Sequence, residues 1–383
     1  MTSTSERVSE PFIREASHRV SQSVFDGSRL RVVLLVDIHD GTQQQFLEAY
    51  EQLCSQIASL PGHVSDQLCQ SIENSTQWLI TSEWESAPPF LTWVNSEEHI
   101  RMVEPLRTCV RETRSLRFHV VRETGAPGAA GGPGTGGLQA VARVGDGLVR
   151  HALTFTVKPG SERTVAEILA GYASPASRVD DTTQLCRTSL FMHGNRVVRA
   201  IEVRGDLVTA LRHVARQPEV RAVEEALNPY LEQDRDLDDP EAARLFFTRA
   251  ALPAVHHVAS DRDSADAVRQ ALYYPAREGC GMRLAELLAR QDEAASADPL
   301  TPLLSSTIFQ RDDIVVRLVD VRGGLDNVAV PGLTDHGRAT GLAELLDPQA
   351  LDVDGPAPRD GGPAHHLGAP LMTLVTDRRA PDA

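Results

Sequence analysis

The chain repeats itself. Laid without a gap on Thr307–Leu325 (TIFQRDDIVVRLVDVRGGL), the segment Ser189–Leu207 (SLFMHGNRVVRAIEVRGDL) matches at eight of nineteen positions. The shared residues include Phe191/Phe309, Val198/Val316, Arg199/Arg317 and Gly205/Gly323. The stretches before them also correspond, LTFTVKPGSERTVAEILA from Leu153 with ALYYPAREGCGMRLAELLA from Ala271. A weaker third copy lies near the N-terminus, where TQWLITSEWES leads into FLTWVNSEEHIRMVEPL as RVVRAIEVRG leads into LVTALRHVARQPEVRAVEEAL. The period is too long for a solenoid of short repeats. One small domain used three times is therefore expected.

The first copy shows what that domain is. Arg31–Ile38 (RVVLLVDI) has the continuous apolar character of a buried strand, and Asp40, Gly41 and Thr42 supply a turn and a helix cap. Phe46, Leu47, Tyr50, Leu53, Cys54 and Ile57 then recur at helical spacing and form one apolar stripe. Pro61–Gly62 ends that helix. His63–Ser71 and Gln77–Glu85 alternate as strands around a turn at Glu73–Asn74–Ser75. An amphipathic helix over about 89–109 and a strand Ser115–Val121 complete the order βαββαβ, the ferredoxin-like split unit.

The fold class expected is α+β, with tandem ferredoxin-like units forming sheets of the dimeric α+β barrel type. Residues 1–28 form an N-terminal arm, 29–124 the first unit, 125–147 a linker, 148–260 the second unit and 261–383 the third. In the second unit strands are expected at 150–157, 184–193, 196–204 and 253–259, with helices at about 161–172 and 205–230. The third departs from the pattern after Leu325, with a Pro/Gly-rich stretch over 351–370 before a closing strand Leu371–Thr376. A four-stranded sheet of this kind has an apolar face that must be buried. The second and third units can supply each other's cover as an intrachain pseudo-dimer, and a homodimer is a further option. Within the linker, Gly132, Gly134 and Gly137 spell G-x-G-x-x-G, but Pro and Gly flank them instead of a strand and a helix, so no nucleotide site is expected.

Net charge is −15, with acidic residues spread along the chain, which argues against nucleic acid and anionic membrane as partners. No apolar run reaches membrane-spanning length, and the polar start MTSTSERVSEPFIRE does not have the pattern of a signal peptide. Five cysteines without a C-x-x-C pair fit reduced thiols of a cytoplasmic protein. His256 and His257 are adjacent on an expected strand and so point to opposite faces, unable to share one metal; no metal site is expected.

The most distinctive local pattern is Trp84–Glu85–Ser86, followed by Phe90, Trp93, Ser96, Glu97, Glu98 and His99. Together with RVVLLVDI and the Pro-Gly-His turn, it resembles the antibiotic biosynthesis monooxygenase family over residues 30–122. Residues 149–376 resemble the SchA/CurD-like domain of actinomycete aromatic polyketide and spore-pigment clusters, on the LTF-x-VKPG start and the repeated VVR strand. The first resemblance implies a cofactor-independent, quinone-forming oxygenation of a polycyclic aromatic polyketide, with molecular oxygen as co-substrate. Such chemistry draws its electrons from the substrate. The protein must desolvate the ring, orient it and stabilise an anion with donors.

Trp78, Ile80, Ser82 and Trp84 share one sheet face, His63 opens the adjacent strand, and His99 lies on the following helix. The resemblance therefore points to Trp84, His99, His63 and Trp78 as candidate catalytic residues, with Phe90 and Trp93 against the substrate. Each has a plainer reading: the tryptophans as core, His63 and His99 as turn or helix caps. This chain departs from the quinone-forming members in carrying Ile80 and Phe90 where they have Asn and Tyr. Arg199 and Arg317, at the position equivalent to Ile80, either bind a substrate anion or pair internally with Glu202 and Asp320. Two alternatives stay open. One is a non-catalytic scaffold that binds the polyketide or its cyclases; the other is haem binding on the same fold through His99.

Overall fold

The computed structural model describes residues 20–122, 145–233, 235–260, 266–323, 336–351 and 371–380. The linker around Gly125–Gly137, most of the N-terminal arm, and the stretch 352–370 with His365 and His366 lie outside these residues. A short β1 (Val20–Ser23) precedes the first unit. That unit runs β2 (Leu30–Ile38), α1 (Gln43–Ile57), β3 (His63–Gln70), β4 (Gln77–Trp84), α2 (Ala87–Val94), α3 (Glu97–Met102), α4 (Glu104–Arg107) and β5 (Val110–His119). Its four strands are antiparallel in the order β3-β4-β2-β5. This is the ferredoxin-like arrangement read from the sequence.

The register places Leu30, Val32, Leu34 and Val36 opposite Trp84, Ser82, Ile80 and Trp78, so one face of the sheet carries all eight toward the helices. Phe46, Tyr50, Leu53 and Ile57 of α1 are buried against it. Gly62, after α1, has φ +79°, and a Cβ there would lie 2.6 Å from Pro89 Cγ. Only glycine lets the start of β3 approach the first turn of α2 so closely. The single helix expected over 89–109 is instead three short ones. The break at Ser96 has a cause: its hydroxyl accepts from His99 N at 3.1 Å, so Ser96 starts a new helix and fixes His99 on its first turn.

The second unit comprises β6 (Leu148–Thr156), α5 (Glu162–Gly171), β7 (Gln184–His193), β8 (Arg196–Arg204), α6 (Leu207–Ala215), α7 (Pro218–Leu227), α8 (Pro240–Ala250) and β9 (Ala251–Ala259). The long helix expected over 205–230 is divided at Gln217–Pro218, where proline cannot donate to the preceding turn. The third unit comprises β10 (Ala267–Pro275), α9 (Gly281–Ser296), β11 (Leu303–Arg311), β12 (Ile314–Arg322), α10 (His336–Leu345), α11 (Pro348–Leu351) and β13 (Thr373–Arg379).

These two units form a single antiparallel sheet in the order β10-β12-β11-β9-β6-β8-β7-β13, with β1 added beside β9. Each unit's last strand pairs with the second strand of the other, β13 with β7 and β9 with β11. A bridge from Leu371 to Leu272, with Met372 N donating to Ala271 O at 2.9 Å, brings the sheet's ends together into a nearly closed barrel. The repeat is exact in register here: Phe191 faces Val198 as Phe309 faces Val316. All four lie in one buried cluster inside the barrel with Ala152, Leu252, Ala271 and Met372. The two apolar faces meet there, and hydrogen bonds join the units at both edges.

Arg199 and Arg317 point the other way, outward under the helices. Arg199 donates to Glu224 of α7 at 2.8 Å, and Arg317 pairs with Asp292 of α9. The pairings with Glu202 and Asp320 expected from sequence do not form, because residues three apart on a strand face opposite sides. Glu202 and Asp320 instead meet Arg269 inside the barrel, at 2.7 and 2.6 Å.

Candidate functional site

A cavity of about 590 Å³ lies within the first unit, between the helix-facing side of its sheet and helices α1 to α4. Val32, Leu34, Val36 and Ile80 line it from the strands, Phe46 and Leu53 from α1, and Phe90 and Trp93 from α2. The same alternation that builds the unit's core therefore also supplies the cavity's apolar wall. In the second unit the corresponding space beneath the helices has shrunk to about 50 Å³ beside Arg199.

The cavity has a polar side. Tyr50, Asp66, Ser82, His99 and Arg117 line it. Burial, reinforced by a hydrogen bond with Cys54, pushes the Tyr50 hydroxyl far above its ordinary range, so it stays an O–H donor. The Cys54 thiol is raised by burial as well. His99 is lowered to about 4 by burial, helped by the positive charges of Arg107 and Arg117. At neutral pH it is an uncharged imidazole, and its Nδ1 has no hydrogen-bond partner among the described residues. Its ring stands edge-on to Trp93 at 4.5 Å. Arg117 lies over the face of Phe90 at 5.4 Å and makes no ion pair with a described residue. Burial lowers Arg117 too, yet a guanidinium keeps its proton. The cavity thus offers a neutral acceptor, hydroxyl donors and an unneutralised cation around an apolar slot.

Three of the candidates from sequence line the cavity: Phe90, Trp93 and His99. Trp84, Trp78 and His63 stand behind its wall. Trp84 is fully buried, stacked on Trp93 at 5.6 Å and edge-on to Phe90 and His63 at 5.5 and 5.2 Å. Its indole N–H donates to Ser82 Oγ at 2.8 Å. Trp84 therefore reaches the cavity through a serine. Trp78 packs on Phe46 with ring centroids 5.3 Å apart. His63 Nε2 sits 2.8 Å from Asp66 Oδ2, at ion-pair distance but not aligned as a hydrogen bond. Arg199 and Arg317 belong to the other two units and are occupied by Glu224 and Asp292.

Tyr50, Asp66, Ser82 and Arg117 were not among the site candidates from sequence, nor were two arginines that come from the second unit. Arg212 of α6 and Arg244 of α8 complete the cavity lining. The contact between units is built from specific bonds. Arg249 of α8 makes a double hydrogen bond to Glu97 of α3, both at 2.8 Å, and Arg311 of β11 donates to Asn95 O at 2.8 Å. Signals for the first-unit residues were present, since Tyr50 is on the α1 stripe and Ser82 on the Trp78–Trp84 face. No local pattern announces Arg212 or Arg244.

Two known families match parts of the chain. The antibiotic biosynthesis monooxygenase family matches residues 29–105, and the SchA/CurD like domain matches residues 148–260. The protein named polyketide synthase CurD of Streptomyces cyaneus is 61% identical over 94% of this chain and 97% of its own length. Protein SchA of Streptomyces halstedii is 59% identical over 95% of this chain and 96% of its own. Among solved structures, SnoaB, a cofactor-independent oxygenase from Streptomyces nogalater, aligns with 25% of this chain and 96% of that one, at 16% identity and a TM-score of 0.24. With relatives this similar along nearly its whole length, the chain belongs to the SchA/CurD family and carries an antibiotic biosynthesis monooxygenase unit ahead of its SchA/CurD-like domain.

Proposed function

We propose that this protein oxidises an aromatic polyketide intermediate with molecular oxygen, without a bound cofactor, in the cavity of its first unit. The observation that carries the reading is the cavity itself: about 590 Å³, walled by Phe46, Phe90 and Trp93, with Tyr50, Ser82, His99 and Arg117 on its polar side. That volume suits a ligand of several fused rings. The polyketide assignment is supported by the relative named polyketide synthase CurD, and the oxygenase assignment by the family matched over residues 29–105.

The chemistry needs an anion. For an anthrone the balance is ring CH₂ plus O₂ to ring C=O plus water, and the electrons come from the deprotonated substrate. Arg117 supplies a fixed positive charge for that anion in a desolvated slot, where it acts more strongly than in water. Neutral His99 accepts a hydrogen bond from the substrate hydroxyl. Burial and the arginines oppose its protonation, but a phenolate placed beside it offsets both, so proton transfer and anion stabilisation are coupled. Ser82 donates to an oxygen atom of the bound ring, and the Tyr50 hydroxyl, kept protonated beside Cys54, adds a polar group to the lining.

The test uses purified full-length protein, freed of metal and flavin, with 1,8-dihydroxyanthrone as substrate. Oxygen uptake and quinone absorbance should rise together, one O₂ for each quinone formed. Binding of the anthrone with no uptake above the spontaneous rate would refute the oxygenase reading and assign the cavity a steering role.

A further inference from the structure

We infer that the ligand of this cavity carries a carboxylate, and that Arg212 and Arg244, contributed by the SchA/CurD-like half, bind it. The inference rests on the reading of the first-unit cavity as a ring-binding site and names the ligand's second recognition feature.

Charge distribution carries it furthest. The chain as a whole has a net charge of −15, yet the cavity is lined by five arginines and two carboxylates. Two of those arginines are engaged elsewhere: Arg107 lies 3.6 Å from Glu104, and Arg111 lies 3.3 Å from Asp37. Arg117, Arg212 and Arg244 make no ion pair or side-chain hydrogen bond with any described residue. A locally cationic cavity in an acidic protein selects anions and steers them inward.

Placement separates the roles of the three. Arg117 stands on β5 against Phe90, within the ring-binding slot. Arg212 and Arg244 arrive from α6 and α8 of the other half. The double Glu97–Arg249 hydrogen bond fixes α8, only five residues past Arg244, against α3, which bears His99. Both line the same cavity from separate helices, and guanidinium forks suit the planar, bidentate geometry of a carboxylate. The apolar slot suits the rings to which it is attached. The chemistry of the ligand class agrees, because a chain built by acyl condensation and released by hydrolysis of its thioester ends in a carboxyl group.

The experiment compares anthraquinone-2-carboxylate with its uncharged carboxamide on the full-length protein, by quenching of tryptophan fluorescence. The wild type should bind the carboxylate at least about tenfold more tightly, and Arg212→Gln/Arg244→Gln should remove that preference while leaving carboxamide affinity within about twofold. Equal wild-type affinity for the two probes would overturn the inference, as would a double variant that keeps the preference. Phosphopantetheine is the third probe. If it binds more tightly than the carboxylate and loses that affinity in the double variant, the anion belongs to a carrier tether and the carboxylate assignment falls. Binding of neither ring probe would sink the ring-binding reading together with the inference, whereas binding of the carboxamide without preference sinks the inference alone.

Discussion

Trp84→Phe separates what the indole N–H does from what the ring's bulk does. Trp84 is fully buried and donates to Ser82 Oγ at 2.8 Å. Losing that hydrogen bond costs about 1 kcal/mol, and the void left by the smaller ring about another 1 kcal/mol. A destabilisation of roughly 2 kcal/mol, read by urea unfolding, is therefore expected. The kinetic effect follows a different path, since the indole does not itself line the cavity. With one lone pair of Ser82 Oγ occupied by Trp84, the serine hydrogen remains free to donate into the cavity. Removing one preorganised donor to a developing oxyanion costs on the order of 10²-fold in rate, which is the loss expected of Ser82→Ala. Trp84→Phe keeps the hydroxyl but frees its rotation, so a smaller loss of about tenfold is expected. Because both act through one hydroxyl, adding Trp84→Phe to Ser82→Ala should cost little more in initial rate of oxygen uptake with the anthrone. Two outcomes would refute this reasoning: Ser82→Ala with wild-type rate while Trp84→Phe is impaired, or losses that simply multiply.

Two further predictions concern stability. Arg317→Met leaves Asp292 fully buried without its cation and should cost about 3–5 kcal/mol, whereas Arg317→Met/Asp292→Leu should return close to wild type; urea unfolding that shows under about 1 kcal/mol for the single variant rejects this pairing as important. Arg199→Met should cost less, since Glu224 keeps Arg235 at 2.5 Å. Burial lowers His99 and His151 to about 4, with arginine charges adding to it, and lowers His257 as well. The unfolded chain then binds more protons than the folded one below about pH 6.5, so stability is complete above that pH and falls as pH drops toward 4. His99→Gln should flatten part of that slope in urea unfolding at pH 7, 5.5 and 4.5; an unchanged slope would show that His99 is not held neutral.

The strands and their pairing were legible because they depend on alternation and on one gapless repeat. The gapless repeat makes Val198 and Val316 equivalent positions, and the structure puts both in one cluster. Helix boundaries were less legible. Ser96 ends one helix and begins another through a single side-chain bond, and apolar periodicity does not register such a break. For α8 the signal was there: Asp239 caps it, accepting from Glu241 N at 2.9 Å, with Pro240 at its first position. The partners of Arg199 and Arg317 required the helices' positions, which strand parity could only narrow by excluding Glu202 and Asp320. Arg212 and Arg244 were out of reach altogether. They join the cavity through contact between units far apart in the chain, and no spacing encodes that.

The three copies of one fold also explain why only some positions could become a site. Ile80, Arg199 and Arg317 are equivalent, each on the helix-facing side of the third strand of its unit. In the second and third units a long arginine enters the space beneath the helices and draws an acid from the covering helix, Glu224 or Asp292. The arginine stem and its partner fill volume that a ligand would need, and the buried pair stiffens the helix over it. Ile80 brings neither the length nor the charge to do this, and in its unit the space stays open at about 590 Å³ against about 50 Å³ in the second. The missing cation is restored by Arg117 on β5, beyond β2 in the same sheet and opposite Val32, which leaves its charge facing the cavity. The barrel half, with its own spaces occupied by ion pairs, then serves the first unit from outside: α6 and α8 bring Arg212 and Arg244 to the cavity lining. On this reading the duplication did not multiply the cavity. It built a rigid wall against which one site is completed.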